Sequence, residues 1–482
     1  MSRKAVILSL LFLVAQWVGR DVFAAKVLIQ GNNPDYAKQT IELFRYSNYI
    51  TSGESLIARS VVDAKGDFSL TIDISQPTFV FMHQGIFFVY LYAEPGMNYT
   101  VKLPPNTPKK ADEQLNPFFE ESRVHLLVLK ATSINSSRSY PEKEELNYLV
   151  RAFDSKYDPV AADYAIRAYG KRDIQSVDSV IKSLVDTFGH VGNRYFQDYY
   201  TYRLGLLKFT SMRYRSRHIS DNYFLNKPVL YSNTAYMELF NEVYDKYFAY
   251  FGRTASGRQI FTDINQRKSL SMLQKTLQNN ILTNDTLREF VILKALHDEF
   301  YEMNFSREAM LQVLDSLNLT SKIDIHRTIG QEIRQKVTRL MVGYAPPAFS
   351  LLNTDSVITT LAHFKGSYVY LNFCTTKNYA CLKELEQLKW VREKFGKYVK
   401  IVTISVDESL GDVRSFVKKS GFKWTFLHYG NQPDVLKEYD IRTFPTYYLI
   451  DPDGKLVWSP APSPNENFEA RLFEELKAKG KL

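Results

Sequence analysis

The sequence predicts a multidomain α+β chain of three folded parts: an N-terminal β-sandwich, a helical middle and a C-terminal α/β domain with a mixed sheet. Three observations carry this. Short β-branched and aromatic segments separated by turn signals fill residues 25–103. Apolar residues then recur at helical spacing through residues 112–340. From residue 343 to 482, compact apolar strands alternate with amphipathic helices. A length of 482 residues suits two to four domains, and 45% hydrophobic residues supply several cores.

Residues 1–24 read as a secretory signal peptide. Arg3 and Lys4 form a basic start, Ala5 to Val18 is mostly apolar, and Val22-Phe23-Ala24 is a small-x-small cleavage site. The apolar run is shorter than the roughly 20 residues a membrane span needs. Cleavage therefore predicts an exported protein of the periplasm or cell envelope, with no transmembrane span left. Removing the signal deletes three basic residues and one acidic one, taking the formal net charge from +9 to +7. The remaining basic residues are scattered among acidic ones without a run of five, which argues against nucleic-acid binding.

In the first domain, Lys26–Gln30, Thr40–Tyr46, Leu56–Val62, Phe68–Ile74, Thr78–Met82, Phe87–Tyr92 and Tyr99–Leu103 read as strands. Asp63-Ala-Lys-Gly66 and Glu94-Pro95-Gly96 are turn signals. Pro104 to Pro108 is a linker. In the middle, Asn233–Phe251 and Asp285–Asn304 carry helical apolar faces, and Ser306 reads as an N-cap for Arg307–Leu317. The aromatic cluster Tyr195-Phe196-Gln-Asp-Tyr199-Tyr200-Thr-Tyr202 is expected to pack in the core. The last domain runs strand Ser367–Phe373, helix Lys383–Phe395, strand Lys400–Val406, helix Val413–Ser420, strand Thr446–Ile450, strand Leu456–Trp458 and helix Phe468–Ala478.

Several motifs of this last segment match one family together. Ala345-Pro346-Pro347-Ala348-Phe349 opens it, and Phe364-Lys365-Gly366-Ser367-Tyr368-Val369 leads into the first long strand. Tyr439-x-Ile441-x-x-x-Pro445-Thr446-x-x-Leu449-Ile450-Asp451 follows, with Asp453-Gly454 at the hairpin. Over about 140 residues the segment resembles the thioredoxin-like proteins of bacterial envelopes, of the TlpA and ResA type. The resemblance implies a thioredoxin fold, a cis bond before Pro445 and a redox motif N-F-W-A-x-W-C-x-x-C-x-x-E.

That motif is degenerate here. The chain reads Asn372-Phe373-Cys374-Thr375-Thr376-Lys377-Asn378-Tyr379-Ala380-Cys381-Leu382-Lys383-Glu384. Asn378 stands where the family has its nucleophilic cysteine, Cys381 stands at the resolving position, and Cys374 replaces the first tryptophan. An amide cannot attack sulfur, whereas Asn is a good helix N-cap. Two readings follow. One is a redox-inactive binding or scaffolding protein of the envelope, meeting a protein or peptide partner through Asn378, Tyr379, Phe444 and Pro445. The alternative is a thiol-disulfide oxidoreductase working through an atypical Cys374/Cys381 pair, the two candidate catalytic residues. No cofactor is implied. The eight histidines are dispersed without metal-ligand spacing, and there is no G-x-S-x-G, phosphate loop or G-x-G-x-x-G.

Overall fold

The computed structural model describes residues 24–116, 118–134, 141–168, 177–211, 215–278 and 282–481. The expected signal peptide lies outside the described residues. The chain divides into two compact units, residues 1–107, 122–257 and 274–295 in one, and residues 108–121, 258–273 and 296–482 in the other.

The first unit begins with two packed sheets. Strands β1 (Ala25–Asn32), β4 (Asp67–Ile74), β7 (Met97–Lys102) and β9 (Leu127–Ser133) form one, in the order β4-β1-β7-β9. Strands β3 (Glu54–Val61), β2 (Thr40–Tyr46), β5 (Thr78–Gln84), β6 (Phe87–Ala93) and β8 (Ser122–His125) form the other, in that order. The alternation read from sequence has its structural meaning in β4. Phe68, Leu70, Ile72 and Ile74 point into the core, and the residues between them face solvent. The sheets extend further along the chain than residue 103. Strands β8 and β9 fall in the stretch expected to be helical, pairing with β6 and β7. Strand β9 gave no signal because Leu127 and Leu129 are exposed, and β8 because it spans only four residues.

Helices take over at Leu146. The expected single helix Asn233–Phe251 is two, Thr234–Val243 and Tyr247–Gly252, because Lys246 adopts a left-handed φ of 44° that interrupts the helical run. The expected helix Asp285–Asn304 stops at Asp298. Ser306 does cap its helix, accepting from the Ala309 N–H. Tyr195, Phe196, Tyr199 and Tyr202 are buried, as core packing requires.

Three helices of this unit meet around one arginine. Arg203, on Arg194–Thr210, bonds Asp158 at 2.6 Å and Glu238 at 2.9 Å, and its guanidinium lies 4.2 Å from the Tyr157 ring centroid. Asp154 sits 3.9 Å from the Arg203 Nε and accepts the Tyr199 hydroxyl at 2.9 Å. Burial outweighs the attraction of Arg203 and pushes the Asp154 carboxyl up to about 6.

In the second unit, helices Arg307–Thr320 and Asp324–Thr338 pack on each other, with Arg334 reaching Asp315 at 2.7 Å. The unit's sheet has the order β11-β10-β14-β13-β12-β15-β16. The strands are β10 (Leu351–Asn353), β11 (Ile358–Thr359), β12 (Tyr368–Cys374), β13 (Val399–Ser405), β14 (Thr425–His428), β15 (Thr446–Ile450) and β16 (Leu456–Ala461). Strand β12 runs parallel to β13 and antiparallel to β15. Its alternate residues feed two cores. Tyr368, Tyr370 and Cys374 join Leu385, Leu388, Val391, Leu472 and Leu476 on one face, and Val369, Leu371 and Phe373 join Leu436 and Tyr439 on the other. Burial on both faces explains the continuous apolar run that made β12 readable. Strands β10, β11 and β14 and the helix Pro433–Glu438 add to the expected order, each too short for periodicity to show. No described helix is long and apolar enough to cross a membrane.

The Asp154 environment yields a prediction. Between about pH 4 and 6 the folded chain keeps a proton on Asp154 that the unfolded chain releases, so this site's contribution to stability falls as pH rises through that window. Asp154→Asn removes the effect. The stability of the variant relative to the natural protein should therefore be greater at pH 7 than at pH 4, by at most about 3 kcal/mol. Calorimetric unfolding at both pH values reads the difference. A difference independent of pH contradicts the prediction.

Candidate redox site

The site lies where β12 leaves the sheet. Cys374 is the last residue of β12, tied by its carbonyl to the Val406 N–H at 3.0 Å. After four intervening residues the helix Tyr379–Phe395 begins. So short a link returns the chain over the end of the strand, and it brings Cys381, in the helix's first turn, back to Cys374. The two thiols are free and lie in one buried core cluster, each influencing the other's ionisation.

Asn378 caps this helix. Its side-chain oxygen accepts the N–H groups of Ala380 at 2.8 Å and Cys381 at 3.3 Å. The amide therefore satisfies backbone donors that would otherwise lack a partner. It does so directly beneath Cys381. Tyr379, the first helical residue, is 80% exposed. The Phe444-Pro445 bond is cis, and Phe444 is half-buried against the core cluster that contains both cysteines. The structure thus brings Cys374, Cys381 and Asn378 into one site, with Phe444 packed on the same cluster and Tyr379 turned to solvent.

The two sulfurs are electrostatically unequal. Burial pushes the Cys374 thiol up, and the neighbouring Cys381 adds to this. Cys381 is drawn down instead, by the neighbouring Cys374 thiol first and by the Thr375 N–H that donates to it at 3.4 Å, against its own burial. If either sulfur carries the negative charge, it is Cys381. Both side chains are covered, Cys374 being 2% and Cys381 0% exposed.

Sequence reasoning missed Asp407. It lies two residues past the end of β13, is 2% exposed, and holds the link that joins Cys374 to the helix of Cys381. Its carboxylate accepts the Thr375 hydroxyl at 2.9 Å, the Thr376 N–H at 3.1 Å and the Thr376 hydroxyl at 2.9 Å. Ser405 donates to its other oxygen at 2.5 Å, and His428 Nε2 lies 2.8 Å from its carbonyl. One hint was available: polar residues at the carboxyl end of a central parallel strand gather at sites. Among the described residues, no group of three or more His, Cys, Asp or Glu is arranged to hold a metal ion.

This combination, a mixed sheet sandwiched by helices with a thiol pair at the first strand-to-helix junction and a cis-proline before β15, defines a thioredoxin-like domain. Residues 342–459 match the model of the AhpC/TSA family. The chain is 30% identical over 131 residues to the thiol-disulfide oxidoreductase ResA of Bacillus cereus, covering 27% of this chain and 75% of that protein. It is 34% identical over 116 residues to ResA of Bacillus subtilis, covering 24% and 64%. A crystal structure of the thioredoxin domain of a Bacteroides vulgatus thiol-disulfide oxidoreductase is similar at 24% identity, over 28% of this chain and 96% of that one, with a TM-score of 0.26. The chain belongs to the TlpA/ResA-type thioredoxin-like family through this C-terminal domain.

The cap can be tested. Asn378→Ala should weaken the first turn by about 1 kcal/mol, while Asn378→Ser retains an acceptor. Native-state hydrogen exchange on the full chain should show faster exchange at residues 380–382 in the alanine variant only. Equal protection in all three proteins contradicts the capping role.

Proposed function

We propose that this chain is an exported thiol-disulfide oxidoreductase whose redox pair is Cys374 and Cys381, acting on a disulfide-bonded protein or peptide of the cell envelope. One observation carries the reading: the two free thiols, six residues of intervening chain apart, are buried in the same core cluster, where each shifts the other's ionisation. The matched relatives are named thiol-disulfide oxidoreductases, which supports this reading over the redox-inactive scaffold. Export rests on the order of basic, apolar and small residues in positions 1–24.

The chemistry follows from the inequality of the sulfurs. The Cys381 thiolate attacks one sulfur of a substrate disulfide, forming a mixed disulfide and expelling the other substrate sulfur as thiolate, which takes up a proton. Cys374 then loses its proton and attacks the Cys381 sulfur. That closes the Cys374–Cys381 disulfide and releases the second substrate thiol. Two electrons pass from the dithiol to the substrate. The reverse sequence oxidises a substrate dithiol. Asn378 takes no part except to hold the helix end.

The burial of both cysteines favours a second reading, a binding module without turnover. An insulin-disulfide reduction assay with dithiothreitol separates the two. The proposal expects turnover above the blank, lost at least tenfold in Cys374→Ser and in Cys381→Ser and kept in Asn378→Ser. Turnover equal to the blank in the natural protein would establish the binding module instead.

A further inference from the structure

Asp407 is buried, is joined by four side-chain or backbone donors, and belongs to none of the motifs of the redox segment. Three of those donors come from Thr375 and Thr376, the two residues that follow Cys374. The Thr375 N–H in turn points at the Cys381 sulfur, 3.4 Å away. We propose that Asp407 is a positioning residue that, by gripping the Thr375–Thr376 link, holds the Thr375 N–H on Cys381 and keeps the link closed over the thiol pair. This rests on the reading of Cys374 and Cys381 as the redox pair.

The geometry explains why a carboxylate serves here. Oδ1 accepts both threonine hydroxyls, Oδ2 accepts Ser405, and the Thr376 N–H is shared between the two oxygens. A carboxylate supplies acceptor sites in both directions from one buried group. Ser405 anchors Asp407 back onto β13, and its hydroxyl also accepts the Asp407 N–H at 3.3 Å. The link is therefore tied to the sheet through Asp407 and not only through its own ends.

The arrangement contains an opposition. As a negative charge, Asp407 disfavours a thiolate on either cysteine. As an anchor, it supplies Cys381 with a hydrogen-bond donor. The other groups facing the pair are Glu384, on the same helix as Cys381, and Tyr447, on β15. Removing Asp407 thus has opposite consequences according to which role dominates. If charge dominates, both Asp407→Asn and Asp407→Ala ease ionisation of Cys381. If positioning dominates, Asp407→Ala makes ionisation harder, while Asp407→Asn, whose Oδ1 can still accept from both threonines, preserves it.

The test is the pH profile of iodoacetamide alkylation at Cys381 in the full chain, read by mass spectrometry of the Cys381 peptide. It does not require the pair to turn over, so it remains decisive if the redox reading fails. We expect Asp407→Ala to raise the alkylation midpoint by about one pH unit and to increase the plateau rate at least threefold as the link loosens. Asp407→Asn should stay at or below the natural midpoint with an unchanged plateau. Thr375→Val with Thr376→Val, which removes both hydroxyls and leaves Asp407 in place, should resemble Asp407→Ala and serves in its stead if that variant does not fold. A midpoint that falls in both Asp407 variants, or no change of midpoint and plateau in Asp407→Ala and the double threonine variant, overturns the proposal.

Discussion

The four residues between Cys374 and Tyr379 are the constraint on which the site depends. Strand β12 is buried on both faces and cannot shift without disturbing two cores, so Cys374 is fixed in place. The helix Tyr379–Phe395 is fixed by Leu385, Leu388 and Val391 on one of those cores. With both ends held, the link must turn sharply, and the polar groups on its half-buried side take protein partners. Asn378 answers at the helix end and Asp407 at the strand end. The meeting of Cys374 and Cys381 follows from this closure.

Much of this was legible in the sequence, for identifiable reasons. The run Ser367–Phe373 announces a strand buried on both sides, and Leu385, Leu388, Val391 and Phe395 announce the helix face that covers it. Asn378 could be read as a cap because the residue type and its place before an amphipathic run agree. The contact of the cysteines could not be read. A spacing of six residues fits many geometries, and only the turn of the link selects this one. Asp407 was silent for a related reason. Its partners are a strand apart in sequence, and a single polar residue after a buried strand reads as ordinary loop. Strand β9 was hidden because its exposed leucines break the alternation on which a strand reading relies, and β8 because it is only four residues long.

The departure from the family motif changes where the reactive sulfur stands. An exposed cysteine at a helix N-cap gains from the helix dipole and meets its substrate directly. Here the capping position belongs to an amide, and the thiol whose neighbours favour ionisation lies in the first turn, beside the second cysteine and one backbone N–H. Such a pair exchanges thiol stabilisation by the helix end for stabilisation by its neighbour, and its access is set by the link above it.

Equilibration of the full chain in graded mixtures of reduced and oxidised dithiothreitol, followed by acid quench and alkylation, tests the central claim most directly. The account predicts that Cys374 and Cys381 lose their free thiols together in one reversible two-electron transition, with a linkage between their two peptides and none in either serine variant. Two thiols that stay free across the whole range, or that join only to other molecules, would contradict it.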